Sequence, residues 1–294
     1  RRALDQLSLT VAAGEIFALL GPNGAGKTTT LKLLMRLIYP TQGSARLLGQ
    51  PFESVEVHGR VGYLPEAPYF YDYLTAREFL DYCGQLFGLG RSERRRRVGE
   101  LLERVGLTEA GDVALRHFSR GMLQRAGIAQ ALINDPELLF LDEPMLGLDP
   151  VGRREVRDLI QELHQEGKTI CLSTHILADV ELLCSRVAVL NRGRLHGLGA
   201  LSEMVKLEAP ASEVLVAGSS PALEEAVRKL ADGVHAAGGR ITLTTPDGKL
   251  DAVVDCVRQH GGRLVSITPV RSSLEDYFFE QFGTEKLPEG HDRV

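Results

Sequence analysis

The fold of this chain is decided by Gly21-Pro22-Asn23-Gly24-Ala25-Gly26-Lys27-Thr28. This stretch follows a short apolar run at 14–20 and precedes a helical pattern at 27–38, so that a strand, a glycine-rich turn and a helix come in sequence. It matches G-x-x-x-x-G-K-[ST], a pattern whose glycines leave backbone N–H groups open to a phosphate. The N-terminus of the following helix adds a partial positive charge. We therefore expect this loop to bind the phosphates of a nucleotide.

Two side chains of the loop have roles of their own. Lys27 is expected to reach the β- and γ-phosphates, and Thr28 to offer its hydroxyl to Mg²⁺. A chance glycine turn would give the same pattern in about one chain in a hundred of this length. The position between an apolar run and a helix favours the phosphate loop. The predicted nucleotide-binding set is Gly21, Pro22, Asn23, Gly24, Ala25, Gly26, Lys27, Thr28 and Thr29.

A pair of carboxylates follows a second apolar run. Residues 137–141 (ELLFL) predict a buried parallel strand, and Asp142 and Glu143 come directly after it. Ligands of parallel sheets bind at the carboxyl ends of the strands. We expect Asp142 to hold Mg²⁺ and Glu143 to polarise an attacking water. The alternative is a pair of acidic residues that cap a helix.

The rest of the pattern extends this α/β reading. Further strands are predicted at 169–174 and 186–190, with helices at 151–165 and 176–184, which together indicate a parallel sheet with crossover helices. From about 68 to 134 the pattern is mostly helical. After residue 210, strands at 213–217, 240–245 and 263–268 alternate with helices near 221–231, 249–259 and 273–281. We predict an ATPase-type domain at 1–210 and a small α+β accessory domain with a polar tail at 211–294.

Composition excludes several classes of protein. The 294 residues are 44% hydrophobic with a net charge of −5, which gives no global basic footprint for nucleic acid. No apolar run reaches the roughly 18 residues of a membrane span, and no signal-peptide pattern is found. The cysteines form no C-x-x-C pair and are expected to be reduced and buried. The chain begins at Arg1 without Met, so we expect the true N-terminus to lie upstream.

Over about residues 3–205 the sequence resembles the ABC ATPase family. Four further segments carry the resemblance, in the order in which the family has them. They are Gly62-Tyr63-Leu64-Pro65-Glu66 (the Q-loop), Phe118-Ser119-Arg120-Gly121-Met122-Leu123-Gln124-Arg125 (the signature), Gly147-Leu148-Asp149-Pro150 (the D-loop) and Ser173-Thr174-His175 (the switch histidine). Phosphate loops occur in many NTPases, whereas this ordered combination is typical of one family.

The resemblance implies a fold and a function. The fold would be α/β, a P-loop NTPase core of the ABC ATPase type with a helical subdomain at about 68–134 and the C-terminal α+β appendix. The chain would bind ATP and Mg²⁺, with Glu66 as a further metal ligand and His175 holding the γ-phosphate. Ser119 and Gly121 would contact the nucleotide bound to Lys27 of a second copy, or to a related ATPase subunit, in a head-to-tail dimer. A separate transmembrane permease would be the other partner, at the cytoplasmic face of the cell membrane.

Three positions depart from the family pattern. Glu66 stands where the family usually has Gln, Arg120 where Gly is typical, and Met122 where Gln is typical. These variants resemble those of exporter-type subunits, so export of a solute or lipid is the expected direction. The aromatic residue that stacks on adenine in this family is expected upstream of residue 1.

Alternatives to transport remain at this stage. One is a soluble ABC ATPase that acts on nucleic acid or ribosomes. Such relatives usually carry a long coiled coil or two ATPase units in one chain. This sequence shows neither feature, and it has no basic stripe. Another is a nucleotide-binding regulator without hydrolysis, against which Glu143 and His175 argue. The arginines of 91–97 predict a solvated helix face or a contact with anionic lipid or a partner loop. The apolar positions Leu274, Tyr277, Phe278 and Phe282 predict either core packing of the appendix or a dimer or regulatory contact.

Overall fold

The computed structural model describes residues 2–204 and 211–270. They fall into two compact units, residues 2–201 and the described residues from Ser202 onward. The first unit contains, in chain order, β1 (Ile16–Leu20), α1 (Lys27–Leu34), β2 (Arg46–Leu47), β3 (Gln50–Pro51), α2 (Val55–His58), β4 (Val61–Leu64), α3 (Ala76–Leu86), α4 (Arg91–Arg104), α5 (Arg120–Ala131), β5 (Leu138–Asp142), α6 (Pro150–Gln165), β6 (Thr169–Thr174), α7 (Leu177–Leu183), β7 (Arg186–Asn191) and β8 (Arg194–Ala200). A short helix, α8 (Leu201–Met204), follows.

A six-stranded sheet organises the first unit. Its order is β4-β5-β6-β1-β7-β8, and all neighbouring pairs are parallel except β7 with β8. The strands β1, β5 and β6 are buried along their whole length, which explains their continuous apolar runs. Because Leu20 pairs with Thr174 and Asp142 with Ser173, the carboxyl ends of these three strands meet at one edge. The phosphate loop, the paired carboxylates and the switch histidine all leave the sheet at that edge.

The antiparallel strand β8 was not predicted, because a purely parallel sheet was expected. A two-residue turn, Arg192-Gly193, joins β7 to β8, and both residues have positive φ (48° and 81°). Two left-handed residues in succession are the geometry of a type I′ turn, which folds a strand back on its neighbour. The sequence Asn191-Arg192-Gly193 predicts a type I′ turn only weakly, since Arg is an uncommon residue in the left-handed region.

The helix predicted at 27–38 is shorter than expected and ends at Leu34. Arg36 has a φ of 55°, a left-handed conformation that a continuing helix does not contain. The amide of Leu37 then bonds back to the carbonyl of Lys32 at 2.9 Å, which closes the end of the helix. Apolar periodicity extended the prediction beyond this point because it does not detect a left-handed cap.

The helical segment at about 68–134 contains α3, α4 and α5, as predicted. Thr75 and Glu78 form a reciprocal capping box at the start of α3, which satisfies two free N–H groups. In the arginine-rich stretch, Arg94 pairs with Asp81 and Arg96 with Glu100, both at 2.8 Å, and Arg97 donates to the carbonyl of Ile133. These contacts favour a structural role for most of the stretch.

In its described residues, the second unit is a four-stranded antiparallel sheet with two helices on one face. It contains β9 (Ala211–Ala217), α9 (Pro221–Arg228), β10 (Gly233–Ala237), β11 (Arg240–Pro246), α10 (Leu250–Gln259) and β12 (Arg263–Val270). The strand order β10-β11-β9-β12 is that of a split β-α-β fold. Buried aliphatic residues of the sheet and both helices form its core, including Val214, Val216, Leu223 and Val257.

The sequence predicted three of these four strands and both helices. It missed β10, whose residues Gly233–Ala237 have low β-propensity. The hairpin Gly238-Gly239, with φ of 57° and 74°, is what pairs β10 with β11. The division after Leu201 lies close to the predicted boundary at 210, and the assignment of the two domains stays a prediction. The helix predicted at 273–281 and its apolar residues lie outside the described residues.

Cys83, Cys171 and Cys184 are buried and Cys256 is half-buried, all as free thiols. Burial raises the pKa of the Cys83 thiol to about 11, so it is protonated at neutral pH. No helix within residues 2–204 and 211–270 combines the length and the apolar composition that a membrane-spanning helix needs.

We expect Gly62→Ala to destabilise the first unit. Gly62 lies in β4 beneath the end of α5, and a Cβ there would collide with the backbone carbonyl of Ala131 and approach the Leu139 side chain. Overpacking of this kind costs about 1–3 kcal/mol, measured as a lower midpoint in urea denaturation. The matched control is Gly99→Ala in α4, where a Cβ meets open space. That variant should be as stable as the parent or slightly more so, and equal midpoints for the two variants would contradict the prediction.

Candidate functional site

The phosphate loop lines a cavity at the carboxyl end of β1. The loop leaves β1 at Leu20 and enters α1 at Lys27, and its Gly26 adopts a φ of 110° as the N-cap residue. A side chain at Gly26 would therefore be strained, and its Cβ would also crowd Leu4. The cavity measures about 550 Å³. Its lining consists of Arg2, Ala3, Asn23, Gly24, Ala25, Gly26, Lys27, Thr28, Thr29, Glu66, Glu143 and Arg192.

Lys27 is buried inside this loop. Its Nζ donates to the carbonyl oxygen of Gly21 at 2.7 Å and to that of Pro22 at 3.4 Å. The same nitrogen lies 3.3 Å from Oε1 of Glu143, and both side chains are only 6% exposed. The positive charge is thus held at the start of α1 by loop carbonyls and one carboxylate. These contacts explain how a buried ammonium is tolerated, because a buried charge without a partner is strongly unfavourable.

Asp142 and Thr28 form an oxygen cluster beside Lys27. The Thr28 hydroxyl donates to Asp142 Oδ1 at 3.0 Å, and the Ser173 hydroxyl donates to the same oxygen. Asp142 is fully buried, and no donor in the described part of the chain reaches its Oδ2. A carboxylate oxygen without a partner and a neighbouring hydroxyl are hard oxygen ligands of the type that Mg²⁺ prefers. The residues present therefore fit a magnesium ion at this point.

Tyr63 approaches the same cluster from β4. It pairs with Phe140 in β5, so it shares a face of the sheet with Asp142, two residues further along that strand. Burial raises the pKa of the Tyr63 phenol, and the carboxylates of Asp142 and Glu66 raise it further. Glu66 itself is exposed and lines the cavity. The negative charges of Asp142 and Glu66 thus favour the neutral phenol of Tyr63.

Glu143 has an unusual backbone. Its φ is 49°, in the left-handed region, which costs about 1 kcal/mol or more for a residue with a Cβ. Its amide donates to the carbonyl oxygen of Ser173 at 3.0 Å and to the Ser173 hydroxyl at 3.2 Å. Its two carboxylate oxygens each lie 3.0 Å from Nδ1 of His175. The sharp turn after β5 thus aims Glu143 at both Lys27 and His175.

The signature residues lie elsewhere. Ser119 is the N-cap of α5 and its hydroxyl accepts from the Met122 amide at 3.3 Å. Ser119 is exposed and Gly121 half-buried, and neither lines the cavity around Lys27. Two contacts tie α5 to the segment after Glu143. The buried Gln124 donates to the carbonyl of Pro144 at 2.9 Å, and the Arg120 guanidinium covers Gly147 so closely that a Cβ there would collide with it.

Comparisons with known proteins agree with this geometry. A family model described as ABC transporter matches residues 4–146. An uncharacterized ABC transporter ATP-binding protein of Synechocystis sp. is 48% identical over 95% of this chain and 78% of its own length. The chain belongs to the family of ABC transporter ATP-binding proteins. It is thus an ATP-binding subunit of an ABC transporter and an ABC ATPase that hydrolyses ATP.

Two further relatives bear on the function of this ABC ATPase. A Nod factor export ATP-binding protein I of Paraburkholderia xenovorans is 37% identical, over 97% of this chain and 93% of its own length. A solved dimeric structure of an ATP-binding cassette in a post-hydrolysis state, bound to ADP and Pi, has a TM-score of 0.63 at 25% identity. That comparison covers 68% of this chain and 90% of the other.

Several site residues of this ABC ATPase were missed by the sequence analysis. Ser173 was quoted only as part of the switch-histidine segment, yet its hydroxyl and carbonyl hold Asp142 and Glu143 in place. Arg2 and Arg192 line the cavity from the N-terminal segment and the β7–β8 turn. The parallel pairing of the two predicted strands β5 and β6 could have indicated Ser173, because it sets Ser173 opposite Asp142. No signal was available for Arg192, because it lies in a turn that was not predicted, or for Arg2, because no strand or helix contains it.

We expect Lys27→Ala to lower ATPase activity by about 100-fold or more, because it removes a charge that stabilises the developing phosphate charge. Phosphate release measured under saturating ATP gives the rate. Lys32→Ala is the matched control, since Lys32 lies on the same helix with its side chain exposed. Undiminished turnover in the Lys27 variant would contradict the assignment of the phosphate loop.

Proposed function

We propose that the cavity at the end of β1 binds the triphosphate of ATP through the loop Gly21–Thr29. Backbone N–H groups of the loop and the N-terminus of α1 supply donors and a partial positive charge. Lys27 exchanges its contacts with Glu143 and the loop carbonyls for the β- and γ-phosphates. The observation that carries this proposal is the convergence of Lys27, Glu143 and His175, with contacts of 3.0–3.3 Å between them.

Thr28, Asp142 and Glu66 are the proposed ligands of Mg²⁺. Thr28 and Asp142 already share a hydrogen bond, and Asp142 keeps one buried oxygen without a donor among the described residues. Glu66 lies at the rim of the same cavity and offers a carboxylate where most of the family has an amide. At these residues a bound Mg²⁺ would supply positive charge that offsets the negative charge of the triphosphate.

Glu143 is the proposed general base for hydrolysis. A water molecule attacks the γ-phosphorus, its proton passes to the Glu143 carboxylate, the bond to the β-phosphate oxygen breaks, and ADP and inorganic phosphate result. His175 holds the γ-phosphate and orients the water. In the structure His175 hydrogen-bonds Glu143, so the two side chains are within reach of one small reacting group.

Two copies of the chain are proposed to close head to tail over ATP. Ser119 and Gly121 do not line the cavity of their own chain, which supports a role for them at the nucleotide of a second copy. The dimeric form of the solved relative with ADP and Pi supports this arrangement. ATP then stabilises the closed pair, and its hydrolysis favours opening, which couples chemistry to movement.

The second proposed partner is a separate transmembrane permease. The relative of Paraburkholderia xenovorans is a Nod factor export protein, which supports export of a solute or lipid as the direction of transport. The chain is then a peripheral subunit at the cytoplasmic face of the membrane, with residues 1–210 as the ATPase domain and 211–294 as the accessory domain. Purification of the tagged chain from membranes tests this proposal. Recovery of an integral membrane protein supports it, and recovery of ribosomes or nucleic acid instead would contradict it.

Glu143→Gln should bind ATP, hydrolyse it at least about 100-fold more slowly and form a stable dimer. The amide keeps the shape of the side chain but cannot accept the proton, and the phosphate loop is untouched. Size-exclusion chromatography with light scattering, with and without Mg-ATP, reports the dimer. Glu166→Gln at the end of α6 is a control, since Glu166 pairs with Arg104 away from the cavity. Turnover at the parental rate in Glu143→Gln would remove Glu143 from the mechanism.

Glu66→Gln should retain ATP binding, because it restores the residue that most of the family carries. Glu66→Ala should weaken the affinity of the ATP-bound protein for a divalent cation, because it removes an oxygen ligand. Calorimetry gives the ATP affinity, and titration with Mn²⁺ followed by electron paramagnetic resonance gives the cation affinity. Equal Mn²⁺ affinity in the parent and in Glu66→Ala would show that Glu66 is not a ligand.

A further inference from the structure

Two arginines line the proposed ATP cavity and have no part in the reaction described above. They are Arg2, in the segment before β1, and Arg192, in the turn between β7 and β8. The same lining contains one further cation, Lys27, and the carboxylates of Glu66 and Glu143. A triphosphate carries more negative charge than one lysine offsets, so additional cations that face it are candidates for direct contact with it.

The strand order separates Arg192 from the groups that are proposed to act on the γ-phosphate. In the six-stranded sheet, β1 lies between β6 and β7. Glu143 and His175 follow β5 and β6, on one side of β1, whereas Arg192 follows β7, on the other side. These strands are all parallel, so their carboxyl ends meet at one edge, with the phosphate loop in the middle. The cavity therefore has the proposed general base on one side and Arg192 on the other.

The backbone of Arg192 has a conformation that arginine does not favour. Its φ is 48°, in the left-handed region, and Gly193 follows with a φ of 81°. A type I′ turn prefers Asn-Gly at these two positions, because Asn adopts the left-handed conformation with less strain than Arg. Residues that keep a strained backbone cluster at ligand-binding and active sites. The choice of Arg at this position therefore favours a function for its side chain.

Hydrogen bonds on both sides hold this turn against the phosphate loop. The Gly193 amide donates to the carbonyl oxygen of Ala25 at 2.8 Å, and the Asp5 amide donates to the carbonyl oxygen of Gly193 at 2.7 Å. The Asp5 carboxylate accepts from Arg194 Nε at 2.7 Å and from Arg2 Nη1 at 2.6 Å. These two bonds hold the pKa of Asp5 below its usual range, so the carboxylate is ionised at neutral pH. One residue thus anchors both Arg2 and the turn.

We propose that Arg192, together with Arg2, binds the α-phosphate of the nucleotide. The inference rests on the binding of ATP along the phosphate loop that is proposed above. Lys27 and His175 hold the γ-phosphate end of the triphosphate in that proposal, so the α-phosphate is the one that lies toward the β7 side of the loop. A guanidinium group donates to two phosphate oxygens in parallel, which suits a side chain whose backbone is fixed by an anchored turn.

The test uses a substitution that the turn itself favours. Arg192→Asn removes the guanidinium group and creates the preferred Asn-Gly pair, so in thermal denaturation the variant should be at least as stable as the parent. Its Kd for Mg-ATP, measured by calorimetry, should rise by about fivefold or more, because a charge-assisted hydrogen bond is lost. Its Kd for Mg-ADP should rise by the same factor, since ADP also has an α-phosphate. Arg192→Lys should recover part of the affinity, because it keeps the charge without the planar fork.

Arg194→Gln is the matched control. Arg194 lies two residues further along the same hairpin, and its loss changes the net charge equally, but its side chain pairs with Asp5 and does not line the cavity. The Kd of this variant for ATP should stay within about twofold of the parental value, as expected for an exposed ion pair. Adding Arg2→Gln to Arg192→Asn should raise the Kd further, for ATP and ADP alike.

Three results would overturn the α-phosphate contact. They are a parental Kd for ATP in Arg192→Asn, a loss that is confined to ATP while ADP binds as in the parent, and an equal loss in Arg194→Gln, which would indicate a general effect of charge. No further rise on addition of Arg2→Gln would remove Arg2 from the contact. Failure of the proposed function is distinguishable from all of these, because in that case the parent itself does not bind ATP.

Discussion

The parallel pairing of β5 with β6, which sets Asp142 opposite Ser173, is the constraint on which the site depends. Successive side chains of a strand point to opposite faces, so a slip of one residue would turn Asp142 away from Thr28. The same register lets Ser173 hold Asp142 through its hydroxyl and the Glu143 amide through its carbonyl oxygen. One residue of β6 therefore fixes both carboxylates, and the strained turn at Glu143 persists because this anchor balances its strain.

The buried charges of Lys27 and Glu143 are explained by their use in ATP hydrolysis and not by a gain in the free energy of unfolding. Lys27 and Glu143 are nearly inaccessible to water, and a buried ion pair of this kind contributes little to the free energy of unfolding, because desolvation offsets the attraction. What the pair provides is a lysine and a carboxylate already desolvated and oriented. An ABC ATPase needs this pre-organisation, since phosphoryl transfer depends mainly on positioning and electrostatic stabilisation.

The short segment from Pro144 to Asp149 links these groups to the rest of the ATPase core. Gln124 of α5 binds its first carbonyl, Arg120 covers Gly147, and Arg153 of α6 binds the carbonyl of Leu148. Arg120 is one of the departures from the family pattern, and the structure gives it a packing role in its own chain. Three contacts from two helices converge on a few residues next to Glu143. A displacement of either helix would therefore change the position of the proposed general base.

The sequence by itself determined the phosphate loop, the buried strands, the paired carboxylates and the family, because these depend on local glycine spacing, apolar runs and residue order. It also predicted most of the C-terminal helices and strands from short-range patterns. Only the tertiary structure decided the antiparallel β8, the early end of α1 at Leu34 and the pairing of β10, since left-handed residues at Arg36, Arg192 and Gly238-Gly239 set them. The same holds for Ser173 beneath Asp142, because contacts between residues distant in sequence form only when strands and helices pack.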